Sequence, residues 1–278
     1  MVVTGLLMLA AFALLLVLLL AQARTRTKRT SFNAIEDKYE SIEEVQEALK
    51  ASGLESSNLI LGIDYTKSNE WNGKHSFYGR SLHDTTGAEP NPYERCISIL
   101  GRTLEAFDED RLIPCFGFGD VTTKDKGVFR FFADGRPCRG FQEALARYKE
   151  ITPRVLLSGP TSFAPIIQEA IRIVEADKSY HILVIIADGE ITREKETVDA
   201  IVEATNHPLS IIVVGVGDGP WYTMKEFDDG LPARRFDNFQ FVEWNKHAPL
   251  KHADASFAIE ALMEIPDQFK AIRRLGLL

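Results

Sequence analysis

Two kinds of hydrophobic pattern take turns along this chain. Short, nearly unbroken runs of branched apolar residues occur at Leu59–Ile63, Leu112–Phe118, His181–Ala187 (HILVIIA) and Leu209–Val216 (LSIIVVGV), with shorter ones at Val128–Phe132 and Phe239–Trp244. Their length and composition predict strands. Between them, apolar residues return at helical spacing over Pro92–Phe107 (with Asn91 as its cap), Phe141–Tyr148, Phe163–Val174 and Glu194–Ala204. A last helix is expected over Ala255–Ile272, kinked at Pro266, and a first one where Ile42, Val45 and Leu49 recur before Gly53. Strands apolar on both faces belong in a parallel sheet covered by helices. The expected fold is α/β: a three-layer, doubly wound, mostly parallel sheet with helices on both faces, filling residues 39–278 without an internal linker.

The N-terminus follows a different pattern. Residues 1–23 carry no charged side chain, and Arg24, Arg26, Lys28 and Arg29 follow at once. Val2 to Ala21 would make about 30 Å of helix, enough to cross a bilayer core. A transmembrane helix over 1–23 and a basic juxtamembrane linker over 24–38 are therefore expected. The positive-inside rule then makes this a single-pass membrane protein with its domain facing the cytosol. The other reading is a signal peptide cleaved after Ala21-Gln22-Ala23, which would make the protein secreted.

Charge narrows the choice of partner. The formal net charge is −8, and the four basic residues near the N-terminus leave 28 basic against 40 acidic side chains in the rest. Such a body does not suit nucleic-acid binding, whose affinity rests on basic side chains against phosphates. Three cysteines (Cys96, Cys115 and Cys138), with no C-x-x-C pair, exclude a disulfide scaffold and a two-zinc module. His75, His83 and His181 are scattered, no G-x-S-x-G occurs, and Cys115 lies inside an apolar strand, so no catalytic set is expected. The glycines of Gly215-Val216-Gly217-Asp218-Gly219-Pro220 lack dinucleotide-loop spacing and are expected to serve turn geometry.

In doubly wound folds, ligands bind where the carboxyl ends of the strands meet the loops. The first apolar strand leads into Asp64-Tyr65-Thr66-Lys67-Ser68-Asn69. His181–Ala187 leads into Asp188-Gly189, and Ser158-Gly159-Pro160-Thr161-Ser162 precedes a helix. In an extended turn, the alternate spacing of Asp64, Thr66 and Ser68 would aim all three the same way. Carboxylates and hydroxyls are hard oxygen ligands, suited to Mg²⁺, Mn²⁺ or Ca²⁺. With few carboxylates bound directly, such an ion would leave a position for an Asp or Glu of a partner protein.

This three-part pattern resembles the metal-ion-dependent adhesion site of von Willebrand factor A domains. NLILGIDYTKSNEW (58–71), GPTSFAPII (159–167), ILVIIADGEIT (182–192) and LSIIVVGVGDGPW (209–221) are similar to the A domain of copines and of the plant RING-type ubiquitin ligases that share it. The resemblance implies that Ser68, Thr66 and Thr161 supply hydroxyl ligands and that Asp64 and Asp188 act mostly through water, with Mg²⁺ as the expected cofactor. Two things differ from those relatives. Nothing the size of the copines' two C2 domains precedes residue 39, and no cysteine pair of a RING finger follows Cys138. Neither ubiquitin transfer nor C2-driven phospholipid binding is therefore carried over. The expected function is a membrane-anchored, non-enzymatic interaction module that binds an acidic residue of a protein partner through a divalent ion. Two alternatives stay open: a RING-less adaptor in protein ubiquitination, and a secreted adhesion module.

Overall fold

The computed structural model describes residues 41–278 except 53–56, 105–107, 109, 190, 232–233, 248–249 and 251–252. The expected transmembrane helix over 1–23 and the linker over 24–38 lie outside these residues. Among the described residues, no helix is long and apolar enough to cross a membrane.

The first elements are α1 (Ile42–Ala51) and β1 (Asn58–Asp64), then α2 (Pro92–Leu104), β2 (Leu112–Ile113), β3 (Cys115–Phe118), β4 (Phe129–Arg130), β5 (Cys138–Arg139) and α3 (Gly140–Ile151). There follow α4 (Ala164–Asp177), β6 (His181–Ala187), α5 (Glu194–Ala204), β7 (Leu209–Gly215), α6 (Tyr222–Gly230) and β8 (Phe239–Glu243). The short α7 (Trp244–His247), α8 (Ala253–Leu262) and α9 (Ile265–Arg274) complete the chain. One six-stranded sheet runs in the order β4-β3-β1-β6-β7-β8, parallel except for β4. The chain leaves β1 toward β3 on one side and returns to β6 on the other. The strand order therefore reverses between β1 and β6, which is where such folds open a crevice.

Alternation within the strands explains the layers. Leu59, Leu61 and Ile63 of β1 join Ile182, Val184 and Ile186 of β6 in a core that also holds Tyr93 and Ile97 of α2 and Phe269 of α9. Ile60, Leu183, Ile185 and Val213 face the opposite way, against Ile166, Ala170, Ile201 and Phe227 of α4, α5 and α6. Every residue of β6 and β7 is buried, as expected for strands covered on both faces. Gly62 is part of this packing, because a Cβ there would stand 2.8 Å from Ile166 Cγ1.

Some expected boundaries shift. The single strand over 112–118 is two strands, because Pro114 has no N–H to give to a ladder. Leu112–Ile113 pairs antiparallel with Cys138–Arg139 in a separate ladder, while Pro114 O accepts Leu61 N–H at 3.0 Å and Cys115–Phe118 enters the main sheet. The kinked helix over 255–272 is likewise two helices. Pro266 lies in the first turn of α9, where a missing N–H leaves no bond broken.

Candidate metal centre

β1 ends on Asp64, which is fully buried. One oxygen, Oδ1, accepts the Thr66 N–H at 2.8 Å. Thr66 is still extended (φ −79°, ψ 157°), but the chain then winds into a single turn of 3₁₀ helix over Lys67–Glu70. Ser68 therefore reaches the site from a helical turn and not from the extended turn expected from its spacing. It still meets Thr66 and Asp188 there. Ser68 Oγ lies 3.1 Å from Thr66 Oγ1 and donates to Asp188 Oδ1 at 3.0 Å. Asp188 follows β6, whose register with β1 sets Ile186 beside Ile63 and so brings both carboxylates to one edge.

The other Asp64 oxygen, Oδ2, is buried without a hydrogen-bond partner. Burial pushes the Asp64 carboxyl from 3.8 up to about 6. Burial, and after it the neighbouring Asp64 charge, raises Asp188 well above the usual carboxylate range. Two close, desolvated carboxylates oppose each other's ionisation, and a cation between them would relieve both. The donor set of two carboxylates and two hydroxyls, with one carboxylate oxygen bare, fits a hard divalent ion.

Thr161 stands apart from this cluster in its contacts. It is buried in the loop before α4, its N–H donates to Thr192 Oγ1 at 2.9 Å, and its carbonyl accepts the N–H groups of Thr192 and Arg193 at 3.1 Å. Among the described residues, no hydrogen bond joins its side chain to Asp64, Thr66, Ser68 or Asp188. The loop itself does flank the site, since Ser158 bridges to Thr66 and accepts the Lys67 N–H.

Several supporting residues escaped the sequence reading. Asn72 Nδ2 donates to Asp188 Oδ2 at 3.1 Å and to Asp188 O at 3.2 Å, fixing that carboxylate. The Asp64 carbonyl accepts His83 Nε2 at 2.7 Å and Tyr93 Oη at 3.2 Å. A carbonyl only accepts, so His83 carries its proton on Nε2 and its Nδ1 accepts Tyr148 Oη at 2.8 Å. Burial holds that imidazole down to about 3, and it stays neutral. The glycine-rich loop after β7 clamps the β1 loop. Asp218 accepts the His75 and Ser76 N–H groups at 2.8 Å each, and its own N–H reaches Asn72 O at 2.8 Å. Gly217 (φ +105°) allows this approach, because a Cβ there would lie 2.9 Å from Asn72 O. The one signal for these contacts was the pair of asparagines in Ser68-Asn69-Glu70-Trp71-Asn72 after a strand.

Comparison with known proteins gives the family of the chain. The copine family model matches residues 81–278. E3 ubiquitin-protein ligase RGLG2 of Arabidopsis thaliana is 57% identical over 266 residues, covering 89% of this chain and 56% of its own length. Copine family protein 2 of Caenorhabditis elegans is 52% identical over 246 residues, covering 86% of this chain and 3% of its own. A solved structure of the manganese-loaded TRAP protein of Plasmodium vivax is similar at a TM-score of 0.45 and 15% identity, covering 72% of this chain and 74% of that one. The chain belongs to the copine family. It spans a little over half the length of the Arabidopsis ligase it matches.

These relatives correct one expectation. The single-pass membrane placement, and with it the secreted alternative, is overturned by strong similarity across most of the chain to ubiquitin ligases and copine proteins. An apolar run of spanning length meets a geometric condition for crossing a bilayer, but it does not by itself fix a compartment.

Proposed function

We infer that the domain is a non-catalytic protein-interaction module that takes an acidic side chain of its partner onto a divalent cation. Asp64, Thr66, Ser68 and Asp188 would hold the ion, with Thr161 contributing from the flanking loop. Mg²⁺ is the first choice, and Ca²⁺ and Mn²⁺ are the alternatives. The observation that carries this reading is the buried, bare Oδ2 of Asp64 beside a second buried carboxylate. When bound, the ion supplies an electrophilic point for a carboxylate from outside. The protein's own residues prepare that point. Asn72 and Ser68 orient Asp188, hydrogen bonds from His83 and Tyr93 pin the Asp64 main chain, and the neutral His83 brings no competing positive charge.

Similarity to ubiquitin ligases over nearly nine-tenths of the chain supports a more particular role, as the substrate-binding or adaptor part of a protein-ubiquitination system. Calorimetric titration of Mg²⁺ and Ca²⁺ into the protein and into Asp64→Ala/Asp188→Ala tests the site. Saturable binding is expected only in the unsubstituted protein, with both proteins folded by circular dichroism. Equal binding by the two, or none by either, overturns the reading.

A further inference from the structure

Beside the carboxylate cluster, the segment from Pro153 to Ser158 forms a ridge between two clefts. The larger, about 610 Å³, is lined by Pro153, Val155, Leu156 and Leu157 together with polar residues that include Lys67 and Arg80. The smaller, about 310 Å³, shares Val155 and Leu156 and is lined also by Val121, Phe129 and Arg154. Leu156 crowns the ridge with 68% of its surface exposed. Its backbone is nonetheless fixed on both sides. Leu156 O accepts the Val121 N–H at 2.9 Å, Leu157 bridges to Asp120, and Ser158 bridges to Thr66. A large apolar side chain held out on rigid backbone suits recognition, because little ordering entropy remains to be lost on docking.

Charge gives the face a sign. Its acids are engaged: Glu70 by Lys67 at 2.6 Å, Asp84 by Arg80 at 3.5 Å and Asp125 by Arg193 at 3.1 Å. Asp120 keeps its negative charge, held by neutral donors, Thr122 Oγ1 at 2.7 Å and the Thr123 N–H at 2.9 Å, so one acid stands against three cations. Arg154, Lys124 and Lys126, by contrast, are exposed and have no ion-pair partner among the described residues. In a chain of net charge −8, this face therefore presents unbalanced positive charge next to an apolar ridge.

We propose that this face docks an acidic protein segment with an embedded apolar residue. One carboxylate of the segment goes to the Asp64–Asp188 cluster, the apolar side chain crosses Leu156 into the larger cleft, and further carboxylates meet Arg154 and Lys124. The placement of the first carboxylate rests on the cation-binding reading. The ridge and its cations do not depend on it.

The test pans a phage-displayed library of random dodecapeptides against the full chain in Mg²⁺, then measures fluorescein-labelled versions of the enriched peptides by anisotropy. Enriched sequences are expected to combine acidic residues with a leucine, isoleucine or aromatic residue. Leu156→Asp is expected to weaken them about tenfold, the scale of one lost apolar side-chain burial. Arg154→Glu with Lys124→Glu should weaken them further and flatten their salt dependence. All three side chains are exposed, so folding should be retained, and circular dichroism checks that. Binding that needs Mg²⁺ but ignores these substitutions overturns the docking face and leaves the cation reading intact. Binding that is lost in Leu156→Asp but indifferent to chelator upholds the face and overturns the cation reading. Enrichment of peptides without acids, or of none, overturns the proposal.

Discussion

Replacing Asp64 with asparagine isolates the electrostatics of the site without any partner protein. In the cation-free domain, burial lifts the Asp64 carboxyl from 3.8 to about 6. The folded state then binds this proton more tightly than the unfolded state. Stability is therefore full below about pH 4, falls as pH rises through about 6, and stays reduced above it. The difference corresponds to about 3 kcal/mol at pH 7.5. Asparagine keeps an Oδ1 for the Thr66 N–H, bonded at 2.8 Å in the unsubstituted protein. It also replaces the bare Oδ2 with an amide that can donate to the Asp188 carboxylate. Cation-free Asp64→Asn should thus be more stable at pH 7.5 by up to about 3 kcal/mol, roughly 6–12 °C in Tm for a domain of this size. His83 pulls the other way below its ordinary 6.5, since it is buried neutral. The quantity to compare is therefore the variant minus the unsubstituted protein at each pH, from which His83 cancels. Scanning calorimetry in EDTA between pH 4 and 8 should show that difference open with rising pH. Saturating Mg²⁺ should stabilise the unsubstituted protein and close it. A difference that is absent, negative or independent of pH would refute the reasoning.

Three further substitutions probe the scaffold and the clamp. Ile185 is fully buried between Gly62 and Val213, so Ile185→Asp should cost more than about 4 kcal/mol and leave the domain unfolded by far-ultraviolet circular dichroism. A folded, monodisperse variant would contradict the strand placement. Asn72→Ala removes both hydrogen bonds to Asp188 and is expected to lower Mg²⁺ affinity by roughly 10–100-fold in calorimetric titration. Unchanged affinity would deny Asn72 its orienting role. Gly217→Ala, which drives a Cβ against Asn72 O, should weaken the ion at least as much as Asn72→Ala with no contact to the ion itself.

The elements with a strong, single-period pattern were legible from sequence. HILVIIA became β6 at its expected bounds, and Glu194–Ala204 became α5. Where a proline broke a run, the apolar pattern continued but the hydrogen bonding did not, as at Pro114 and Pro266. The helix over Tyr222–Gly230 went unread because Met224 and Phe227 are its buried apolar positions and polar residues surround them. At the site, Asp64 and Asp188 were legible because strand ends in this topology point to one edge. Asn72, His83 and Tyr93 were not, because their roles come from contacts made only after the loops fold back on β1. Sequence spacing carries no record of such contacts.

The clamp between Asp218 and the His75–Ser76 backbone spans more than 140 residues of chain, and the Ser68–Asp188 bond spans 120. During synthesis, Asp64 therefore leaves the ribosome long before the residues that will enclose it. Until β6 and Asp188 have been made, the nascent chain carries Asp64 as a lone acid without its partner carboxylate. On the cation-binding reading, affinity for the ion arises only once β1 and β6 have paired. On that reading the ion plays no part in the first steps of folding, and a ribosome-stalled chain ending before Asp188 should bind it no better than an unstructured acidic peptide.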